Sequence, residues 1–277
     1  MKLFISILAM SALAIGITIS AYADLNDGVV AAWTFDDGKV TDAIGDAHGE
    51  LFKAAKIISK GKFGKALDVD GSQDTRADVE FNPALEKVIE GAHTVSYWLF
   101  VRNGANHSGV WKGEKVGWGD HFTFRMVTTS STGLTWGTCS KGAENWFATD
   151  GAIEADKWFH LCQTADGEEA IGYVTPEGGK TEIPVSGQGN PKAAAEPYNL
   201  FPDRPLEMGA GRQIGGNQGN DTFLDGIIDD VIIWDRALSE DEVKELGSGE
   251  RPEKALAVKA EGKLATTWGK VKSYHHR

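Results

Sequence analysis

Short runs of β-branched and aromatic residues, each closed by a turn signal, recur along most of the chain, and they favour antiparallel strands over any helical fold. Residues 29–35 form such a run, and Asp36-Asp37-Gly38 stops it. Residues 66–69 end in Asp70-Gly71, a second turn. Residues 94–101 have the length and the aromatic, β-branched content of a core strand. Residues 122–126 and 134–139 alternate apolar with polar, as half-buried strands do. Residues 158–164 and 170–175 flank the turn Ala165-Asp166-Gly167-Glu168 and read as a hairpin. Residues 223–234 make a last long strand around Asp229-Asp230. The 34 glycines and nine tryptophans suit turns and aromatic strands.

One helix is marked. Ser239 and Glu242 form a capping box, Val243 and Leu246 share a face, and Gly247 is placed to end it. The expected fold is therefore all-β: a two-sheet antiparallel jelly-roll sandwich with one short C-terminal helix. Residues 24–249 read as one domain, loop-rich between residues 176 and 205, and residues 250–277 as a polar, Lys-rich tail.

Residues 1–23 read as a secretory signal peptide. Lys2 is followed by an apolar run from residue 3 to 19, and Ala21-Tyr22-Ala23 supplies the small residues of a cleavage site. The expected location is extracytoplasmic, at a bacterial cell surface or in the periplasm, with no membrane span after cleavage. The formal charge of −12 is spread along the chain without a basic stripe. Counterion release cannot drive binding to nucleic acid or to an anionic membrane here. Cys139 and Cys162, two cysteines in an exported chain, are expected to form one disulfide.

Several segments, in order, resemble a laminin-G-like jelly-roll domain of the concanavalin A-like lectin/glucanase superfamily. They are Ala32-Trp33-Thr34-Phe35-Asp36-Asp37-Gly38, then Gly61-Lys62-Phe63-Gly64-Lys65-Ala66-Leu67, then Thr94-Val95-Ser96-Tyr97-Trp98, then Trp158-Phe159-His160. The most specific is Gly226-Ile227-Ile228-Asp229-Asp230-Val231, continuing to Leu238-Ser239. The resemblance implies that Trp33, Trp98, Trp158 and Trp234 are core residues. It departs at Gly172-Tyr173-Val174-Thr175-Pro176, and the tail lies outside it.

The superfamily's glycosidases carry two carboxylates a few residues apart on one strand. That spacing is missing here, and the doublets Asp36-Asp37, Glu168-Glu169 and Asp229-Asp230 cannot replace it, because strand neighbours point to opposite faces. No catalysis is expected; a glycan-degrading enzyme stands as the second alternative. The resemblance implies instead a binding module in which Asp36, Asp70, Asp229 and Asp230 hold Ca²⁺ at a sheet rim; the alternative is that these residues cap turns. A second aromatic set, Trp111, Trp118, Trp136 and Trp146 with His121, is the candidate carbohydrate site. Trp118, flanked by glycines, is the best candidate for an exposed ring. The expected partner is a glycan; the alternative is an extracellular protein, in adhesion or structural assembly.

Overall fold

The computed structural model describes residues 24–102, 107–116, 119–128, 134–140, 143–149, 152–185, 189–194, 196–198, 200–211 and 222–256. The expected signal peptide, Trp118 and the tail beyond residue 256 lie outside these residues, as do the side chains of His121, Trp136, Cys139 and Trp146.

The chain opens with β1 (Val29–Trp33), β2 (Gly49–Phe52), β3 (Lys56–Ile58), β4 (Ala66–Asp70) and β5 (Arg76–Val79). Helix α1 (Pro83–Glu90) precedes β6 (His93–Val101), β7 (His107–Val116), β8 (Gly119–Thr128), β9 (Leu134–Ser140) and β10 (Ala143–Thr149). The hairpin β11 (Trp158–Ala165) and β12 (Glu169–Pro176) leads to β13 (Lys192–Ala193), β14 (Leu206–Met208), β15 (Ala210–Gly211) and β16 (Thr222–Phe223). The long strand β17 (Asp225–Trp234) is followed by α2 (Glu240–Ser248) and α3 (Glu253–Leu256).

Antiparallel pairing builds the expected sandwich. One sheet runs β13-β12-β11-β6-β17-β4-β3, with β1 also on β17; the other runs β10-β9-β8-β7-β14-β5-β2. Strand alternation decides which side chains meet between them. Val95, Tyr97 and Leu99 of β6 turn inward, as do Ile228, Val231 and Ile233 of β17. Ala77, Val79, Val110, Leu206 and Met208 oppose them from the second sheet. Of the four expected core tryptophans, Trp33, Trp98 and Trp234 are buried and Trp158 is half-buried.

The outer face of the eight-stranded sheet is covered. Ala32, Cys162, Tyr173, Ile232 and Trp234 pack with Val243 and Leu246 of α2 and Ala255 of α3. The capping box forms as expected: Ser239 N donates to Glu242 Oε2 at 2.8 Å, and Ser239 Oγ accepts from Glu242 N. Gly249, with φ 105°, ends the helix in place of Gly247. Residues 250–256 belong to the fold, which therefore runs past the expected boundary at residue 249. Helix α1 was not foreseen. Asn82 caps it, with Pro83 in the first turn, and its Glu86 pairs at 2.6 Å with the fully buried Lys112 of β7.

The expected Cys139–Cys162 disulfide is not made. Cys162 is a free, buried thiol in the cluster beneath α2, while Cys139 lies on β9 in the opposite sheet. Packed sheets stand about 10 Å apart, and a disulfide needs Cα atoms within about 7 Å.

Candidate functional site

Midway along its length, β17 changes neighbour. Its first half pairs with β4 and its second with β1, and a register shift against β6 between Asp229 and Ile232 marks the change. Asp230 takes a positive φ of 48° there. Asp229 Oδ2 accepts from the Phe63 amide at 2.8 Å, and Asp36 Oδ1 accepts from the Lys65 amide at 3.1 Å. The Gly61–Gly64 turn has to come this close. A Cβ on Gly61 would lie 2.7 Å from Asp229 Oδ2, and one on Gly64 would collide with Asp36 Oδ1.

Arg251 enters this group from the segment after α2. Its Nη2 donates to Asp230 Oδ1 at 2.6 Å and stands 3.5 Å from Asp36 Oδ2, while its Nε pairs with Asp230 Oδ2. The guanidinium also lies 5.0 Å from the centre of the Phe63 ring. Burial holds the Asp229 carboxyl well above the usual range, and the Asp230 charge adds to the effect. Asp230 is raised by burial and partly pulled back by Arg251.

Three of the four aspartates expected to hold a cation therefore converge, and the chain's own guanidinium takes the cation's place. Asp70 stands apart, accepting from the amide and hydroxyl of Ser72. Ca²⁺ requires six to eight oxygen ligands. The carboxylates present do not fit it while Arg251 holds them, and no metal-binding group of His, Cys, Asp or Glu is found among the described residues.

The second sheet carries a different arrangement. Glu50, Asp78, Glu207, Trp111, Arg125, Gly137 and Trp146 stand opposite one another in turn across β2, β5, β14, β7, β8, β9 and β10. The adjacent row contains Ala77, Met208 and Val110, which face the core, so Asp78, Glu207 and Trp111 lie on the outward side of their strands. Carboxylates occupy one half of it; Trp111, Arg125 and Trp146 occupy the other, with Gly137 adding no side chain between them.

The charges at the acidic end are held in place. Arg76 grips Asp78 through two bonds, of 2.7 and 2.9 Å, and its guanidinium lies 4.3 Å from the centre of the Phe52 ring. Arg204 pairs with Glu207 at 3.4 Å. Arg76 and Glu207 are buried, as bound charges must be if burial is to be tolerated.

The row brings together two of the expected aromatic residues, Trp111 and Trp146, and separates the others. Trp111 is 2 % exposed, so it is not the surface ring expected. Trp136 stands one register step away, opposite Met126 in the row of Val110. His121 lies opposite Glu114, nearer the β7–β8 connection. Sequence reasoning missed Arg76, Asp78, Arg204 and Glu207 entirely. The one available signal was Glu207 between the apolar residues Leu206 and Met208, and that pattern is too short to stand out.

No curated protein matches the chain. The family model Laminin_G_3, described as "Concanavalin A-like lectin/glucanases superfamily", matches residues 73–244. Among solved structures, domain 4 of AbnA, a GH43 extracellular arabinanase from Geobacillus stearothermophilus in complex with arabinotriose, superposes with a TM-score of 0.55 at 15 % identity. That match covers 80 % of this chain and 99 % of the other. The binding domain of Paraclostridial Mosquitocidal Protein 1 gives 0.55 at 16 %, covering 81 % of this chain and 52 % of the other. Trypanosoma rangeli sialidase in complex with sialic acid gives 0.51 at 15 %, covering 79 % and 32 %. This chain thus spans about half of the mosquitocidal binding domain and a third of the sialidase. Identities this low establish the fold alone.

Proposed function

The chain belongs to the Laminin_G_3 family of the concanavalin A-like lectin/glucanases superfamily, and from that premise we propose that it is a non-catalytic extracellular module that binds carbohydrate on the outward face of its seven-stranded sheet. The observation that carries the reading is the seven-residue row. It sets the carboxylates of Glu50 and Asp78, which accept from sugar hydroxyls, at one end and Trp146, to which we assign the stacking against the apolar C–H side of a sugar ring, at the other. Trp111 and Glu207, both buried, support the row from beneath. Trp118, which stands between β7 and β8 in the chain, is assigned a second stacking role. The neighbours solved with arabinotriose and with sialic acid support a sugar partner, while the neurotoxin binding domain solved with rat synaptotagmin II keeps a protein as the alternative. The signal peptide read at residues 1–23 supports an extracellular location.

Non-catalytic is argued from occupancy. Asp78 and Glu207 are directly opposed on neighbouring strands, a carboxylate pair that a search along single strands cannot see. Each is nevertheless engaged by an arginine: Arg76 holds both oxygens of Asp78, and Arg204 pairs with the buried Glu207, so neither is presented to a scissile bond. The test is a glycan array probed with the chain from residue 24, followed by titration of the best hit. Trp146→Ala and Glu50→Gln are each expected to weaken binding by about tenfold or more, equal to about 1.4 kcal/mol, with the melting temperature unchanged. Failure to bind any glycan would overturn the proposal, and release of new reducing ends from a bound glycan would overturn its non-catalytic part.

A further inference from the structure

We propose that a polar cavity at the rim of the sandwich, between the β1–β2 connection and α3, is a second ligand site that takes a single neutral sugar unit and rejects acidic sugars. The cavity measures about 600 Å³, and its polar walls include Asp37, Lys39, Thr41, Asp46 and His48, with Ala255 of α3 closing one side. That volume falls within the roughly 300–1,000 Å³ of small-molecule sites. Its lining comes from residues 34–49 and Ala255, all outside the segment 73–244 that the family model matches.

The β1–β2 connection is held in shape before any ligand arrives. Asp42 is buried, and its carboxylate accepts from the amides of Ala32 at 3.0 Å, Ile44 at 2.9 Å and Ala47 at 3.3 Å. The Gly49 amide donates to Val40 O at 2.7 Å and closes the loop. A Cβ on Gly45 would stand 2.7 Å from Asp42 Oδ2. A preformed wall lowers the ordering cost of binding.

Hydrogen bonding within the wall leaves a defined set of groups for a ligand. His48 Nδ1 accepts from the Asp42 amide at 3.1 Å, which leaves Nε2 as the ring's donor. Asp37 Oδ1 accepts from the Lys39 amide and Asp46 Oδ1 from Asn82 Nδ2, so each carboxylate keeps its second oxygen. Lys39 adds a cationic donor and Thr41 a hydroxyl. Donors and acceptors alternating around an opening of this size match a ring bearing hydroxyls, each of which both donates and accepts. Asp37, Asp46 and Asp42, which also lines the cavity, leave the wall negative against the one ammonium of Lys39, and this excludes uronate and sialate.

The site shares no residue with the sheet row, so the two proposals fail separately. The chain from residue 24 to 277, labelled with ¹⁵N, is titrated with methyl β-galactoside, methyl β-glucoside and, in parallel, glucuronate. Millimolar neutral glycoside is expected to shift the amides of Ile44, Ala47, Gly49 and Ala255, and glucuronate is expected to shift none of them. Lys39→Ala and Asp37→Asn, at exposed positions that spare the Asp42 network, are each expected to weaken that binding by about tenfold and to leave the Trp146-dependent binding intact. Three outcomes overturn the proposal: no shift with either neutral glycoside, a stronger response to glucuronate, or unchanged affinity in both variants.

Discussion

Two adjacent carboxyls with raised proton affinity set the pH behaviour of the fold. An unfolded aspartate titrates near pH ~4. Burial, with the neighbouring charge, pushes Asp229 up to about 8, and burial pushes Asp230 up to about 6. The folded chain thus holds protons that the unfolded chain has lost. Their stability contribution is complete below pH ~4 and disappears as pH rises through the folded values, at up to about 1.4 kcal/mol per pH unit for one proton. His93 and His160 work in the opposite sense: burial lowers them to about 4 and about 3, so their contribution holds above pH ~6.5 and is lost as pH falls. The melting temperature should fall steadily from about pH 6.5 to pH 9, and Asp229→Asn should remove most of that fall; a flat wild-type profile would contradict the assignment. Arg251→Ala leaves the pair without its cation and is expected to cost about 3–5 kcal/mol at pH 8 but less at pH 5, as denaturant titrations at the two values would show.

At the scale of the element, α2 shows how contact overrides propensity. Alanine exceeds glycine by about 1 kcal/mol in a helix interior, so propensity alone favours Gly247→Ala. A Cβ at that position would lie 2.5 Å from Thr175 Oγ1 and 2.9 Å from its Cβ, against β12. Overpacking of this kind costs roughly 1–3 kcal/mol, so the substitution is expected to lower the denaturant midpoint. A rise in midpoint would show that the sheet yields to the added methyl. The sequence led to Gly247 as the stop because a glycine after an apolar pair usually is one. Gly249 does that work, and Gly247 lets the helix approach the sheet.

Across the described residues, the last segment is tied to the first. Lys254 N donates to Asn26 Oδ1 and its Nζ to Asn26 O, both at 2.9 Å, while Ala255 enters the outer apolar cluster. Arg251 does the same for β17 and the β1–β2 side through Asp230 and Asp36. A chain cut after residue 249, where the sequence pattern ends, is expected to melt well below one cut after residue 256. Equal melting temperatures, measured side by side, would show that the segment is an ornament and not part of the fold.

The strand runs, their Asp-Gly stops, the capping box of α2 and the family motif around Asp229 were all legible in the sequence, because each is set by residues within a few positions of one another. Pairing decided the rest. A two-residue period shows that Trp111 and Glu207 alternate with core residues, but not that they share a row or that both end up buried. Likewise, Asp36, Asp230 and Arg251 meet only because β1 and β4 flank β17 on the same side, and Cys139 and Cys162 part only because their strands fall in opposite sheets. Local chemistry specifies that a strand has two faces. Which neighbour, which cover and which counter-charge each face receives is settled when segments as distant in the chain as Val29 and Trp234 come into register.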